Sequence, residues 1–252
     1  MRSVKSPLLR KHSNLLHAFS TKVSGYSLRP FAQNNLAYHV NDDPLTVYKN
    51  HLNYARYLDY NIKNLVYMEQ IHGDKIVVID KNTDVNKIPK CDALITDQKD
   101  IPLMVMVADC IPILIYDPIK EVIATVHAGR AGVFLKIVTK TIQVMRKSFK
   151  SSTQDLIVVL GPSIRSCCYE VGLEIKEEAQ ALGYKYAITK KDSSYYLDLI
   201  SIVKKELKGL NVNKDNIDVS PYCTSCNNDI FFSYRAEKNT SGRFSGVLML
   251  KN

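Results

Sequence analysis

Short apolar runs bounded by polar or turn residues recur along this chain and predict a series of buried β-strands. Runs of four to eight such residues, rich in Val, Ile and Leu, are typical of strands inside a sheet. The predicted strands are Asn64–Gln70, Lys75–Asp80, Ala93–Thr96, Leu103–Tyr116, Val122–His127, Leu156–Leu160, Ile217–Ser220 and the closing "GVLML".

Four segments instead carry the three-to-four-residue spacing of an amphipathic helix. In "VFLKIVTKTIQVMRKSF", apolar residues recur from Phe134 to Phe149, which predicts a helix that begins near Val133. Asp198 as an N-cap, and Gly183 and Gly209 as stops, bound two of the others. The three further predicted helices are Pro44–Asp59, Leu173–Leu182 and Asp198–Lys208.

Strand and helix patterns are mixed through all 252 residues, and no proline-, serine- or glycine-rich linker divides them. A chain of this length can bury one full hydrophobic core. We therefore expect a single domain over residues 1–252, of the α+β class, with mixed β-sheets flanked by helices.

The composition argues against several classes of protein. The longest apolar run, Ile101–Tyr116, has 16 residues, fewer than the roughly 18 that cross a bilayer. The basic first segment lacks the apolar stretch of a signal peptide, so we expect a cytoplasmic protein without a membrane partner. Lys and Arg number 34 against 25 Asp and Glu, but the lysines are dispersed, which disfavours a specific nucleic-acid site and leaves a small anionic ligand.

The stretch "ATVHAGRAG", residues 124–132, ends an apolar run with a histidine and continues through small residues into a predicted helix. Free backbone N–H groups at a helix start attract anions, and Arg130 adds a forked set of donors. Gly129 would let a ligand approach the backbone closely. His127 is expected at the rim of this turn, with a histidine that merely caps its strand as the alternative.

Two further segments offer metal-binding side chains at comparable positions. His72 lies between two predicted strands in "YMEQIHGDKIVVID", and Asp109 and Cys110 fall inside the predicted strand "MVMVADCIPILIY". His72, Cys110 and His127 would together supply two imidazoles and a thiolate. This is the ligand pattern of a catalytic zinc site with an open fourth position. A carboxylate in an apolar strand needs a partner, so we expect Asp109 to meet a cation, a histidine N–H or a backbone donor. It is a candidate to orient a ligand histidine or to transfer a proton.

Five ordered segments extend this picture: "QIHGD", "CDALITDQKDIPLMVMVADCIPILIYDP", "VHAGRAG", "LGPSIRSCCYEVG" and "FFSYRAEKNTSGR". Together with "HAFSTKVSGYS" and "NNLAYHVNDDP" near the start, they resemble signature segments of the YfiH family, the laccase-domain or multicopper polyphenol oxidase group. The likeness covers nearly the whole chain. It implies a YfiH-like fold and a zinc site formed by His72, Cys110 and His127.

The resemblance also implies an activity: phosphorolysis of adenosine, inosine and methylthioadenosine, together with deamination of adenosine. Some bacterial members of the family are linked instead to editing of peptidoglycan precursors. A four-copper oxidase would require roughly ten histidines, whereas this chain has six. A self-contained four-copper oxidase is therefore excluded, and we expect any bound copper to be adventitious.

The chain departs from the family pattern in its basic residues. Ala131 stands where the glycine-rich turn usually carries a basic residue, and "FSYRA" has one arginine, Arg235, where a pair is common. Arg243 and Arg165 are therefore candidates to contact phosphate in addition to Arg130.

Four more cysteines lie in "RSCCYE" and "PYCTSC". The second segment is close to the PCxxC of nucleobase deaminases, but an extra tyrosine separates the proline from the first cysteine, and the HxE half of the signature is missing. Without a second CxxC pair, Cys223 and Cys226 are interpreted as reduced thiols, with a redox pair or half of a structural zinc site as alternatives. Cys167 and Cys168 are interpreted as packing residues.

Three functions remain, in order of preference. The first is zinc-dependent nucleoside chemistry, in which Tyr169 could stack on the purine base, with a core tyrosine as the alternative. In the second, Cys110 is a nucleophile paired with His127 in an amidase that acts on cell-wall precursors. In the third, the basic protein binds RNA and its histidines are structural.

Overall fold

A computed structural model describes residues 3–238 and 240–252, so position 239 of the "FFSYRAEKNTSGR" segment and the first two residues lie outside the described residues. The strands are β1 Ser3–Val4, β2 Leu15–Ser20, β3 Val66–Tyr67, β4 Ile76–Val78, β5 Ala93–Thr96, β6 Leu103–Val107, β7 Ile111–Asp117, β8 Val122–Ala128, β9 Ile157–Leu160, β10 Glu170–Val171, β11 Ile188–Lys191, β12 Ser194–Leu197, β13 Ile217–Val219 and β14 Phe244–Leu250. The α-helices are α1 Pro44–Leu58, α2 Arg130–Phe134, α3 Ile137–Phe149, α4 Leu173–Ala181 and α5 Leu199–Gly209.

Most of the strands form two large sheets. One has the order β1-β2-β14-β6-β3 and is antiparallel except where β3 joins it. The other has the order β13-β9-β7-β8-β5-β4, with parallel pairing only at its two edges. A small antiparallel sheet, β10-β12-β11, lies apart from both. The expected single-domain α+β fold with mixed sheets is confirmed.

The two large sheets pack face to face, and helices cover their outer surfaces. Along β7, Ile113 and Ile115 belong to the core shared with α3 and α5, whereas Leu114 belongs to the core between the sheets. This alternation follows from the period of two along a strand. On the other sheet, Met104 and Met106 of β6 pack with α1. The layers therefore run helix, sheet, sheet, helix.

The prediction of one strand over Leu103–Tyr116 was wrong. β6 ends at Val107 in the five-stranded sheet, and β7 begins at Ile111 in the six-stranded sheet. The chain turns between them at Asp109, whose φ of +89° lies in the left-handed region that aspartate tolerates better than most residues. A single strand would instead have placed the Asp109 carboxylate in an apolar core. The break puts Asp109 and Cys110 on a turn between the two sheets.

The helix expected near Val133 begins earlier, at Arg130, and is interrupted. Lys136 has a φ of +61°, which ends α2 and allows α3 to start in a new direction. Asp198 caps α5 as predicted, since its Oδ1 accepts from the N–H of Ser201 at 3.1 Å. Among the residues that the structure describes, no helix is both long and apolar enough to cross a lipid bilayer.

Strand β2 was not predicted from the sequence. All six of its residues, "LLHAFS", are buried, and a histidine and a serine interrupt its apolar pattern. The predicted strand Asn64–Gln70 shrinks to the two residues of β3, and a 3₁₀ turn, Ile62–Asn64, includes its first predicted residue. The second difference concerns the bounds of a short element, which local sequence patterns define least well.

Candidate metal centre and active site

His72, Cys110 and His127 converge in the fold, and one ligand atom of each lies within 4.8 Å of the others. His72 is in the loop between β3 and β4, and Cys110 precedes β7 directly. His127 lies near the end of β8, opposite Pro112 in the antiparallel β7–β8 pair, which brings it beside Cys110. Strand pairing therefore assembles donors that are far apart in sequence.

Gly129 allows these three side chains to meet. A Cβ atom at this position would lie 3.0 Å from Cys110 Sγ, 3.4 Å from His72 Cδ2 and 3.6 Å from His127 Cε1. Gly129 was predicted to admit a ligand to the backbone. In the structure it makes room for the sulfur and imidazole groups.

A carboxylate that the sequence analysis missed orients the cluster. Nδ1 of His127 lies 2.8 Å from Oδ1 of the buried Asp92, and Asp92 also accepts from the backbone N–H groups of His72, at 3.0 Å, and Gly73, at 2.7 Å. A carboxylate on one ring nitrogen leaves the other nitrogen free to bind a metal. In the sequence, the role of Asp92 was indicated only by its place as a charged residue directly before the buried strand in "CDALIT".

Asp109, predicted to orient a ligand histidine, has other partners. Its Oδ1 accepts from the Thr224 hydroxyl at 2.6 Å, and its Oδ2 accepts from the Arg235 backbone N–H at 2.7 Å. The orienting role therefore falls to Asp92. Asp109 connects the turn before Cys110 to the segment between β13 and β14.

Electrostatics favour a charge-separated pair in the metal-free protein. Burial would raise the pKa of Cys110, but interactions with His127 and His72 outweigh it and lower the pKa to about 6. Burial would lower the pKa of His127, but Cys110 and Asp92 outweigh it and raise the pKa to about 9. Between these values a thiolate faces an imidazolium. Both a metal and a nucleophilic reaction require the thiolate form.

A cavity of about 460 Å³ contains the cluster. The other predicted site residues that line it are Asp109, Arg130, Tyr169, Arg235 and Arg243. His39, which was not predicted, lines it as well, and burial together with the charge of Arg243 lowers its pKa. The cavity thus combines metal-donor groups with arginines and an aromatic ring.

The three arginines of the cavity differ in their partners. Arg130 forms an ion pair with Glu178 at 2.6 Å. Arg235 and Arg243 donate to backbone carbonyl groups instead. Within the described ranges 3–238 and 240–252, neither guanidinium has a carboxylate within ion-pair distance. Their positive charge is therefore available to an anion in the cavity.

Tyr169 lies against one of these arginines. The Arg235 guanidinium is 5.5 Å from the Tyr169 ring centroid, which is a cation–π distance. Burial raises the pKa of Tyr169, so its hydroxyl stays protonated. Stacking of Tyr169 on a base stays a prediction.

The cysteines of "RSCCYE" and "PYCTSC" form a second group. The sulfur atoms of Cys167, Cys168, Cys223 and Cys226 all lie within 4.8 Å of one another, which corrects the interpretation of the first two as packing residues. Arg165, a candidate for phosphate binding, lies beside this group, and its guanidinium donates to a backbone carbonyl, that of Ser220.

Comparison with known proteins agrees with the fold and the motifs. A protein of Corynebacterium glutamicum named purine nucleoside phosphorylase is 37% identical over 234 residues, which cover 92% of this chain and 93% of that protein. A protein of Clostridium acetobutylicum with the same name is 37% identical over 193 residues, 76% of this chain and 79% of that protein.

Solved structures give the same result. The YfiH protein of Bacillus licheniformis superposes with a TM-score of 0.90 at 29% identity, covering 94% of this chain and 93% of its own. YlmD of Geobacillus stearothermophilus has a TM-score of 0.87 at 27% identity, covering 98% and 94%. Residues 16–251 match the family model described as multi-copper polyphenol oxidoreductase laccase. The chain therefore belongs to this laccase-like family and has the YfiH fold that its motifs predicted.

Proposed function

We propose that this protein is a zinc-dependent purine nucleoside phosphorylase that also deaminates adenosine. In phosphorolysis, a phosphate oxygen bonds to the ribose C1′, the C1′–N9 bond breaks, and the purine leaves with a proton. The observation that carries the proposal is the cavity that joins His72, Cys110 and His127 to Arg235 and Arg243, neither of which has a carboxylate within ion-pair distance in the part of the chain that the structure describes. The names of the relatives point to the same reaction.

The donor set fits zinc. His72, Cys110 and His127 would hold the ion as three protein ligands, and Asp92 would fix the His127 ring. When bound there, zinc supplies Lewis acidity and lowers the pKa of water, which suits attack at C6 of adenine. A four-copper site has no support, because two of the six histidines form the cluster and others are engaged elsewhere. His17, for example, accepts from the N–H of Ser6, and His51 contacts the Leu36 carbonyl.

The arginines of the cavity form the proposed phosphate-binding site. Arg235 and Arg243 would bind the attacking anion through charge-assisted hydrogen bonds, and Arg130 would contribute if its pair with Glu178 opens. Asp109 would position Arg235 through the backbone N–H at 2.7 Å. A direct proton transfer by Asp109 stays a prediction, as does a purine stacked on Tyr169.

The proposed substrates are adenosine, inosine and methylthioadenosine, and the proposed location is a cytoplasm that keeps thiols reduced. The test follows phosphate-dependent release of adenine and phosphate-independent formation of inosine from adenosine. Zinc-loaded protein should catalyse both, chelator-washed protein neither, and re-added zinc should restore them. Cys110→Ala and His127→Ala should lose both activities, whereas His12→Ala, outside the cavity, should keep them. Activity that survives removal of zinc would overturn the proposal.

One observation favours a second function, a cysteine amidase that edits peptidoglycan precursors. Cys110, His127 and Asp92 form a chain in which the thiol pKa falls to about 6 and the imidazole pKa rises to about 9. Such a thiolate–imidazolium pair is how cysteine hydrolases activate their nucleophile. Release of amino acids from a muropeptide by the metal-free protein, abolished in Cys110→Ala, would support this alternative.

A further inference from the structure

We propose a second metal site, formed by Cys167, Cys168, Cys223 and Cys226, that binds zinc structurally and joins two loops of the active-site wall. All four sulfur atoms lie within 4.8 Å of one another. This site shares no donor with the His72–Cys110–His127 cluster, so it does not depend on the function proposed above.

The sulfur spacing fits a single tetrahedral ion. A zinc–sulfur distance of about 2.3 Å places the sulfur atoms of a tetrathiolate site about 3.8 Å apart. Here the Cys226 sulfur is 3.6 Å from that of Cys167 and 3.3 Å from that of Cys168. A disulfide would need about 2.0 Å, and all four thiols are free.

Sheet topology explains why such distant cysteines meet. β9 and β13 are parallel neighbours, so the loops after both strands leave the same edge of the six-stranded sheet. Cys167 and Cys168 lie in the first loop, Cys223 and Cys226 in the second, and a bridge between Ser163 and Cys223 continues the parallel pairing. Neither segment alone has enough ligands, and the fold supplies the second half of the site.

The surroundings suit a negatively charged metal–thiolate group. One zinc ion with four thiolates is anionic, and the charge of the Arg165 guanidinium lies within electrostatic reach of Asp198, Cys223 and Cys167. This gives Arg165 a role outside the cavity. Cys223 is buried, whereas Cys167 and Cys226 are exposed, so an ion can enter from solvent.

The two loops also reach the cavity. Asp109 accepts from Thr224 in the second loop, and its backbone carbonyl accepts from the Ile164 N–H at 2.9 Å in the first. Arg235 donates to the Cys168 carbonyl at 3.1 Å. A metal that clamps the loops would thus stabilise the wall that carries Arg235 and the turn before Cys110.

The test is zinc stoichiometry of protein purified under reducing, anaerobic conditions, stripped with a chelator and reloaded with zinc alone. We expect two zinc ions per chain in wild type, one in Cys110→Ser, one in Cys226→Ser and none in the double variant. Cys91→Ala, which removes a cysteine outside both groups, should keep two. Cys167→Ser, which also changes an exposed cysteine, should likewise bind one zinc ion. Circular dichroism should show that Cys226→Ser and Cys167→Ser stay folded.

Cobalt identifies the ligands directly. In the Cys110→Ser background, Co²⁺ should give the strong thiolate-to-metal absorption of a tetrathiolate site, and Cys226→Ser should weaken it. One zinc per wild-type chain that is lost in Cys110→Ser and retained in Cys226→Ser would overturn the proposal. A disulfide among these cysteines, found by mass spectrometry under the same anaerobic conditions, would also overturn it.

Discussion

Asp92 and His127 form the contact on which the candidate metal centre depends, with Oδ1 of the carboxylate 2.8 Å from Nδ1 of the ring. Both side chains are buried. The same carboxylate accepts two backbone N–H groups in the loop of His72, at 3.0 and 2.7 Å. One acidic residue therefore positions one candidate metal-binding histidine, His127, by its ring and the other, His72, by its backbone.

Replacing Asp92 by asparagine should weaken zinc binding by about 10- to 100-fold, the usual effect of losing an outer carboxylate. An amide accepts through only one oxygen, so its NH₂ group would oppose either the N–H of Gly73, now bound by Oδ2, or the groups of His72 and His127, now bound by Oδ1. Competition with a zinc-binding dye measures the affinity. Asp84→Asn, in an exposed loop, is the matched control, and equal affinity in both variants would contradict the role of Asp92.

The Cys110 thiol of the metal-free protein should ionise near pH 6, against a usual value of 9. Because the folded pKa of Cys110 is depressed, its contribution to stability is lost as the pH falls through about 6. The folded pKa of His127 is raised, so its contribution is lost as the pH rises through about 9, and the ion pair stabilises the fold between these values. Alkylation of the Cys110 peptide, followed by mass spectrometry, should therefore reach its plateau near pH 7. His127→Gln removes the largest favourable charge and should move this profile to higher pH. A wild-type profile centred near pH 9 would show that the ion pair does not form.

Gly129→Ala should disrupt the metal centre, because a Cβ would lie 3.0 Å from Cys110 Sγ. We expect loss of zinc from this centre and little change in thermal unfolding of the remaining core. Gly209→Ala is the control, since a Cβ there meets no atom within 4 Å. Full zinc occupancy in Gly129→Ala would mean that the cluster accommodates a Cβ atom at this position, which would contradict the prediction.

Arg243→Gln should raise the KM for phosphate by about 10- to 100-fold. This is the loss in affinity expected when a charged hydrogen bond that contributes about 1.5–3 kcal/mol is removed. Arg243→Lys should recover part of the lost affinity, because lysine restores the positive charge but not the forked set of guanidinium donors. The nucleoside KM at saturating phosphate should change less. Arg146→Gln, on α3 outside the cavity, is the control. An unchanged phosphate KM in Arg243→Gln would remove this residue from the anion site.

The sequence by itself determined the class of the fold and the identity of the main donors. Apolar runs and helical spacing were enough for β5, β8 and β9 of the six-stranded sheet and for α1, α4 and α5, since periodic patterns report burial directly. The motifs containing His72, Cys110 and His127 named the family and the three-donor cluster. The composition also argued against a four-copper oxidase, because six histidines are too few.

Only the tertiary structure decided how these residues meet. The turn at Asp109 depends on two sheets packing face to face, which no local pattern reveals, so one long strand was predicted there. Asp92 was missed because its partners, His127 and the loop of His72, become neighbours only after strands pair. The four cysteines remained two unrelated pairs until parallel pairing of β9 and β13 joined their loops. Contacts between distant segments depend on topology, whereas sequence periodicity reports only which face of each segment is buried.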